Sequence, residues 1–483
     1  MNRRAVFQLV SYLTLVIGVA MVGCAGISIY YNEPVTFRYS FLFAGGLAVI
    51  FALLLRWVTR GSVNLSRRDG FGVVTFGWLT VTVFGSLPYL FSGVISHPIS
   101  ALFETMSGFT TTGATVLSNL ESIPHSIHFW RHLTQWLGGM GVLILCIAIL
   151  PFLGVGGMQV FRAEMTGPSK DRLTPRITTT AKLLWGVYIL ISISEVILLH
   201  FVGKMGWFDA VCHTFSTVAT GGFSTRSGSI GAFNSSSIEI IIMSFMFICG
   251  INFQLHYLAL IGKPSGYLKN SELKFYISLI LIVISIVTIS IYISNNGNIF
   301  TCLKNAAFTS ISLITGTGYV TADYDKWPNA IRILLVAMMF FGGCAGSTTG
   351  SMKIMRINII LKSMLREIKT FMRPSAVIQT KMDGKSIEPM IVAQVGAFFS
   401  IFVLIFALGS FIMTFFTPNL ETAATSVIAT LGNIGPGLNA VGATQNYASI
   451  PVAGQGFLTF LMLLGRLELY TVLILFLPSF WKR

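Results

Sequence analysis

The sequence predicts an all-α polytopic membrane protein built from repeats, and three observations carry that prediction. Of 483 residues, 54% are hydrophobic and only 10% are charged, whereas a soluble domain carries about 25% charged residues. The apolar residues come in long runs, at 6–30, 41–55, 71–91, 183–199, 238–261, 275–293, 331–341, 391–416 and 457–480. Most approach the ~20 residues that a helix needs to cross a bilayer. Four short segments rich in glycine and threonine interrupt the pattern at regular intervals. Alternation in short segments, the mark of a membrane β-barrel, is absent.

The first run, "MNRRAVFQLVSYLTLVIGVAMVGCAG", carries basic residues and a "VGC" like those of a lipoprotein signal. Its apolar stretch is longer than the roughly 7–15 residues of a signal core, and more runs follow, so it reads as a retained transmembrane helix. Cys24, Cys146, Cys212, Cys249, Cys302 and Cys344 are scattered and form no CxxC. Neither a disulfide framework nor a zinc site is indicated, and small buried hydrophobes are expected.

The formal net charge is +15. Threading the runs in order from a cytoplasmic N-terminus puts most Lys and Arg on one side. That side holds Arg3, Arg4, the clusters at 56–68, 162–182, 263–274 and 353–385, and Lys482 and Arg483. Such a bias is the positive-inside rule. It accounts for the charge through topology and the lipid bilayer, with no nucleic acid as partner. The 353–385 stretch mixes basic and apolar residues, and two readings of it stay open: a membrane-surface face, or a dock for a cytoplasmic partner.

The interruptions read "ALFETMSGFTTTGAT" (101–115), "DAVCHTFSTVATGGFS" (209–224), "NAAFTSISLITGTGYV" (305–320) and "ETAATSVIATLGNIGPG" (421–437). Aligned on one glycine, they put Gly113, Gly222, Gly318 and Gly435 in register, along with Ser107, Ser216, Ser312 and Ala429. The period is roughly one hundred residues, so the repeating unit is helix, short re-entrant helix, glycine turn, helix. Non-helical backbone at membrane depth must be buried by protein or line water. Four equivalent turns can do both by meeting on one axis around a central pore. Glycine admits φ > 0 and lets successive carbonyls aim one way.

The candidate cation ligands are the carbonyls of Thr111, Thr112 and Gly113; Thr220, Gly221 and Gly222; Gly316, Thr317 and Gly318; and Asn433, Ile434 and Gly435. Carbonyl rings of this kind replace the hydration shell of potassium in channels with TVGYG loops, and "TGTGYV" is close to that sequence. The C-terminal dipole ends of the re-entrant helices would also favour a cation. The competing reading is four glycines at ordinary helix kinks.

With these four segments, "RHLTQWLGGMGVLIL" (131–145), "FFGGCAGSTTGSMKIMR" (340–356) and "LGRLELYTVLILFLPSFW" (464–481) make the chain resemble the TrkH family of bacterial potassium-uptake subunits. That family belongs to the Trk/Ktr/HKT superfamily, and the resemblance spans essentially the whole chain. It implies an N-terminal pair of transmembrane helices (1–69) before four M1–pore helix–M2 repeats (70–176, 177–270, 271–385 and 386–483), ten spanning helices in all. Glycine at 113, 222, 318 and 435 implies potassium (K+) as the transported ion, since serine in the first filter goes with sodium permeability in the superfamily. Asn433, Ile434 and Pro436 depart from the TVGYG pattern, which implies fewer well-formed ion sites. The resemblance further implies a homodimer in the bacterial inner membrane, regulated by a TrkA-like cytoplasmic nucleotide-binding ring. No bound organic cofactor is expected, and no nucleotide-binding fingerprint occurs in the chain.

The run 340–352 should fall within the second spanning helix of the third repeat. Gly342, Gly343, Gly346 and Gly350, with Ser347, Thr348, Thr349 and Ser351, cannot make a robust helix. An unwound loop directly below a filter would sit in the ion path, and the family implies the same, so the run reads as an intramembrane gate. A phosphate loop is the rival, but no GK[ST] follows in the required spacing. Close helix packing through small residues is the other alternative. Arg466 lies near the middle of the last apolar run, where a charge costs at least ~2.5 kcal/mol. It should find acceptors, and the carbonyls of 342–350 would suit; snorkelling to an interface is the alternative. Lys353 is a second candidate for holding the loop. Glu468 is off the Arg466 face and needs a partner of its own.

Glu104, Asp209 and Glu421 are expected at the outer starts of re-entrant helices, capping them, attracting cations, or both. His125, His128 and His132 have spacing that admits a metal, but with Trp130 and Trp136 nearby, interfacial anchoring is the preferred reading. Glu195 is a candidate intramembrane acid with no partner identifiable from sequence. The function expected is inward potassium conduction. A secondary transporter coupled to sodium or protons is the rival, because discontinuous helices also build transporter sites. An enzyme has no support: there are no paired catalytic carboxylates, no HExxH and no GxSxG.

Overall fold

The computed structural model describes residues 1–61, 66–141, 177–295, 298–375 and 378–481. The end of the 131–145 motif, Cys146, most of the 162–182 cluster, parts of the 56–68 and 353–385 clusters, Lys482 and Arg483 lie outside the described residues.

Among the described residues the regular structure is helical apart from a small hairpin of two-residue strands, β1 (Lys381–Met382) with β2 (Lys385–Ser386). The N-terminal pair, α1 (Arg3–Tyr30) and α2 (Val35–Val58), forms where the first two apolar runs were read. They pack through small residues: a methyl on Gly45 would come within 2.9 Å of the Gly18 carbonyl oxygen. Helices in lipid gain from such close approach because tails offer no hydrophobic contrast.

Four units follow. The first has α3 (Arg67–Ser92), α4 (Pro98–Phe109) and α5 (His125–Gly139). The second has α6 (Ile177–Phe201), α7 (Trp207–Val218), α8 (Ser236–Cys249) and α9 (Phe253–Leu260). The third has α10 (Ser271–Asn295), α11 (Ile299–Ile314), α12 (Asn329–Met338) and α13 (Ile354–Met372). The fourth has α14 (Pro389–Met413), α15 (Leu420–Leu431) and α16 (Val452–Arg466). The long first helices of the second, third and fourth units take the periphery, whereas α3 is mostly covered: α14 exposes Leu404, Leu408 and Phe411, as a lipid-facing helix should. The short helices α4, α7, α11 and α15 are re-entrant and largely buried, with side-chain N-caps from His97, Asn298 and Asn419 in three of them.

Three of the ten expected spans are interrupted among the described residues. Among the described residues six helices are long and apolar enough to cross a membrane, or eight counting two bent pairs. The run 238–261 breaks by 97° between α8 and α9, and the run 457–480 breaks by 110° after α16. In the third unit the second span is replaced at 342–352 by an unwound loop. The break after α16 puts Glu468 and Leu469 at φ +54° and +55°, a conformation costly for residues with a Cβ and tolerated only where the surroundings impose it.

Candidate ion pathway and gate

Each re-entrant helix ends in the same turn. An amide donates to a carbonyl five residues back: Thr112 to Ser107 at 2.9 Å, Gly221 to Ser216 at 2.7 Å, Thr317 to Ser312 at 2.9 Å and Ile434 to Ala429 at 2.8 Å. Positive φ recurs at two positions, first at Thr111 (+53°), Thr220 (+53°), Gly316 (+68°) and Asn433 (+52°), then at Gly113, Gly222, Gly318 and Gly435. Alternating left-handed with ordinary backbone turns successive carbonyls to one side. A left-handed β-branched threonine is an outlier, and such strain marks function more often than accident. The fourth turn keeps this backbone despite Asn433, Ile434 and Pro436, so its departure from the others lies in side chains.

The turns close a ring. A methyl on Gly113 would lie 2.3 Å from the Gly221 carbonyl oxygen, and one on Gly222 1.9 Å from that of Thr317. One on Gly318 would lie 1.9 Å from Ile434 O, and one on Gly435 2.6 Å from Thr112 O. Each glycine therefore abuts the residue before the next unit's glycine, first to second, second to third, third to fourth and fourth back to first. Eight of the twelve predicted residues form this ring, and a methyl on Gly316 would lie 3.3 Å from Asn433 O.

The 342–352 loop lies against the inner ends of these turns. Its roots are held by backbone: Gly342 N–H to Met352 O at 2.7 Å, Ile354 N–H to Gly343 O at 3.0 Å, Cys344 N–H to Gly250 O at 2.8 Å and Phe253 N–H to Gly346 O at 3.0 Å. The break between α8 and α9 thus docks on the loop. The Ala345 amide donates to Glu272 Oε1 at 2.6 Å. Ser347 donates to Cys344 O at 2.6 Å. Toward the ring, Thr348 Oγ1 donates to Val218 O at 3.1 Å, and Ser351 Oγ to Gly432 O at 3.0 Å. A methyl on Gly350 would meet Gly432 O at 2.3 Å.

Both predicted cations reach the loop. Arg466, half-buried at the end of α16 rather than in mid-span, donates to Thr348 O at 2.9 Å. It also binds Gly138 O at 2.6 Å and Gly139 O at 3.1 Å at the end of α5, acceptors outside the expected set. Lys353 Nζ donates to the carbonyls of Ser347 and Thr349 and to Thr349 Oγ1. Glu468 finds Arg356.

Other expectations change. Glu104 neither caps a helix nor faces the mouth. It is wholly buried in α4 and paired with Arg131 at 2.9 Å. Asp209 and Glu421 do sit in first turns, paired with Arg226 and Arg332. The histidines are not interfacial anchors as a group. His132 is wholly buried against Ser216 Oγ at 2.6 Å, Trp130 is wholly buried, and His125 stacks on Tyr31. No metal-binding cluster occurs among the described residues. The five described cysteines are free and buried. Glu195 is wholly buried in α6. On the outer rim, hydrogen bonds from Ser227 hold the Glu121 carboxyl below its usual range, and burial raises that of Asp325. Sequence reasoning missed Arg131 and Gln135 on α5, both wholly buried beside the ring. The "RHLTQ" segment carried them, but nothing in it says which way its polar residues face.

A family model described as "TrkH: Cation transport protein" matches residues 39–483. The chain belongs to the TrkH family. Full-length TrkH relatives include the Trk system potassium uptake protein TrkH of Halomonas elongata, 39% identical, and that of Escherichia coli K12, 38% identical, each with 100% of both chains covered. The E. coli K12 protein TrkG is 31% identical over 99% of each chain. The crystal structure of the potassium transporter TrkH from Vibrio parahaemolyticus matches with TM-score 0.89 at 33% identity, covering 100% of each chain. The TrkH fold, four helix–re-entrant helix–helix units around a central pore plus an N-terminal pair, is the one described above.

Proposed function

We propose that this chain conducts potassium inward across the bacterial inner membrane, with its N-terminus cytoplasmic. The carbonyls of 111–113, 220–222, 316–318 and 433–435 form the selectivity filter, and the 342–352 loop is the gate, held shut by Arg466 and Lys353. We place the repeats at 70–176, 177–270, 271–385 and 386–483. The observation that carries the reading is the closed ring of glycines, each against the next unit's carbonyl. Main-chain oxygens so fixed can replace the water around a potassium ion without rearranging, and ion selectivity follows from their number and field. Four helix C-termini aimed at the ring add favourable potential for a cation. The potassium-uptake names of full-length relatives support the ion.

Regulation comes from a second protein. A TrkA-like cytoplasmic ring, acting on a homodimer, would pull on α13, which leaves the gate loop directly and carries exposed Leu365, Ile368 and Phe371 among basic residues. The test is Gly113→Ser in the purified chain, reconstituted in liposomes. Its side chain would press on Gly221 O at left-handed φ, and potassium over sodium preference should fall by an order of magnitude or more, on the order of 1–3 kcal/mol of strain. An unchanged preference removes position 113 from the filter. Unitary currents in the same liposomes, with no need for a sodium or proton gradient, distinguish a channel-like pathway from coupled transport.

A further inference from the structure

We infer that Gln135 and Arg131 of α5 are positioning residues for the pore turn of the second repeat, so that ion preference there is set from the first repeat. The inference rests on the filter reading above. The two residues are four apart and share one helix face. Gln135 donates from Nε2 to Gly221 O at 2.6 Å, and its Oε1 accepts from the Phe223 amide at 3.2 Å. One side-chain amide therefore brackets Gly222 from both sides. One turn away, Arg131 donates through Nη1 to Ser224 O at 3.3 Å, with its guanidinium 4.1 Å over the Phe223 ring. Its Nη2 reaches Thr115 Oγ1 at 3.3 Å in the exit from the first turn. Glu104 balances the charge through Arg131 Nε, and itself accepts from Thr115 Oγ1 and the Val116 amide at 2.9 Å each.

The second turn needs this splint more than the others do. Thr220–Gly221–Gly222 is the one triplet of the ring with consecutive glycines. Peptide planes between glycines flip at little steric cost, since neither residue has a Cβ to choose a side. A flip at Gly221–Gly222 would take the Gly221 carbonyl off Gln135 and reorient a carbonyl of the ring. Gly221 itself is not at positive φ, so its backbone does not require glycine. Its role is space: a methyl there would lie 2.5 Å from Gln135 Cδ. Glycine at 221 and glutamine at 135 thus explain each other, the first making room and the second removing the freedom that the room creates. The other turns have different supports. Ser312 Oγ holds Tyr319 O at 2.8 Å in the third, and Tyr447 Oη holds Gly435 O at 2.7 Å in the fourth.

The experiment compares Gln135→Met, Gly221→Ala, their double variant and Arg131→Lys in the full-length chain in liposomes. Potassium and sodium permeability are read beside thermal midpoint and elution volume, with Gly222→Ser as control. Gln135→Met keeps the length and loses both bonds, so potassium preference should fall roughly tenfold while the fold is kept. Arg131→Lys keeps the charge balance but loses the reach to Ser224, and should cost roughly threefold. Gly221→Ala alone should also lower the preference by displacing Gln135, whereas adding it to Gln135→Met should cost little more, because the two bonds it would disturb are already gone. Losses that simply add would mean that the two positions act independently and would overturn the splint. Folded Gln135→Met and Arg131→Lys with unchanged preference, beside a Gly222→Ser that lowers it, overturn the inference and leave the filter standing. No change in any variant overturns both. If Gln135→Met does not fold, Arg131→Lys and Gly221→Ala decide by the same readout.

Discussion

The four pore turns and the 342–352 loop are both non-helical backbone at membrane depth, yet they are held in different ways. Each turn is fixed by an amide-to-carbonyl bond inside its own unit and by contact with the next unit's carbonyl, so the ring closes on itself. Nothing in it can move without displacing its neighbours. The loop has backbone bonds at its roots, at Cys344 and Gly346 to the α8–α9 break, and from the Ser347 amide to Cys344 O. Its apex, Ser347 to Gly350, hangs on the side chains of Lys353, Arg466 and Thr348. Carbonyls held by long cationic side chains can exchange them for water as the loop moves, whereas carbonyls wedged against other backbone cannot. The difference is the one that the proposed filter and gate require: one irregular segment is locked by backbone, the other is held at its apex by side chains.

The largest expected effect breaks the fixed half. In Gly318→Ala the methyl would lie 1.9 Å from Ile434 O and 2.7 Å from Pro436 Cδ, at φ +76°. We expect destabilisation above about 3 kcal/mol, measured as a large drop in thermal midpoint, with loss of potassium preference in whatever folds. Gly384→Ala is the matched control. It has φ +78° with nothing within 4 Å, so only the backbone term of about 1 kcal/mol remains. Equal effects at the two glycines would mean that ring contact contributes nothing.

The next effect falls on the 342–352 loop. Arg466→Ala removes a charged donor from Thr348 O and from two α5 carbonyls. A charged hydrogen bond contributes about 1.5–3 kcal/mol, which shifts a closed-to-open ratio roughly 10- to 100-fold. Potassium flux through the chain alone should rise accordingly, with selectivity unchanged. Flux at the parent level would show that the loop is not held by this arginine.

The fixed half was the more legible in sequence. Gly113, Gly222, Gly318 and Gly435 stood out because glycine and threonine are conspicuous between apolar runs, and a repeat multiplies a weak signal. The 342–352 loop was visible for the same reason: four glycines in eleven residues do not make a robust helix. The breaks at 250–252 and 467–469 were not visible, because Ile251, Leu467 and Leu469 keep the hydropathy high while the backbone turns. Hydropathy measures transfer to lipid and is blind to φ. Glu104 was placed at the mouth because an acid near a helix start suggests a cap. Its true position depended on Arg131, a residue of another helix that sequence spacing cannot bring to it.

The smallest effect is the sharpest test of the division, because Ser351 touches both halves. Its hydroxyl lies 2.8 Å from Met339 O, on the loop's own unit, and 3.0 Å from Gly432 O, at the base of the fourth turn. Ser351→Ala removes this neutral tether and leaves two carbonyls without it, a change of about 1 kcal/mol. If the ring is fixed and the loop is not, the whole effect should fall on the loop. Open probability should rise roughly fivefold, while the potassium-to-sodium permeability ratio stays at the parent value, because Gly432 keeps its amide bond to Ile428 O at 2.8 Å and Ile434 keeps its bond to Ala429. A permeability ratio that moves together with open probability would mean that the fourth turn shifts with the gate, and that the two segments form one mechanical unit.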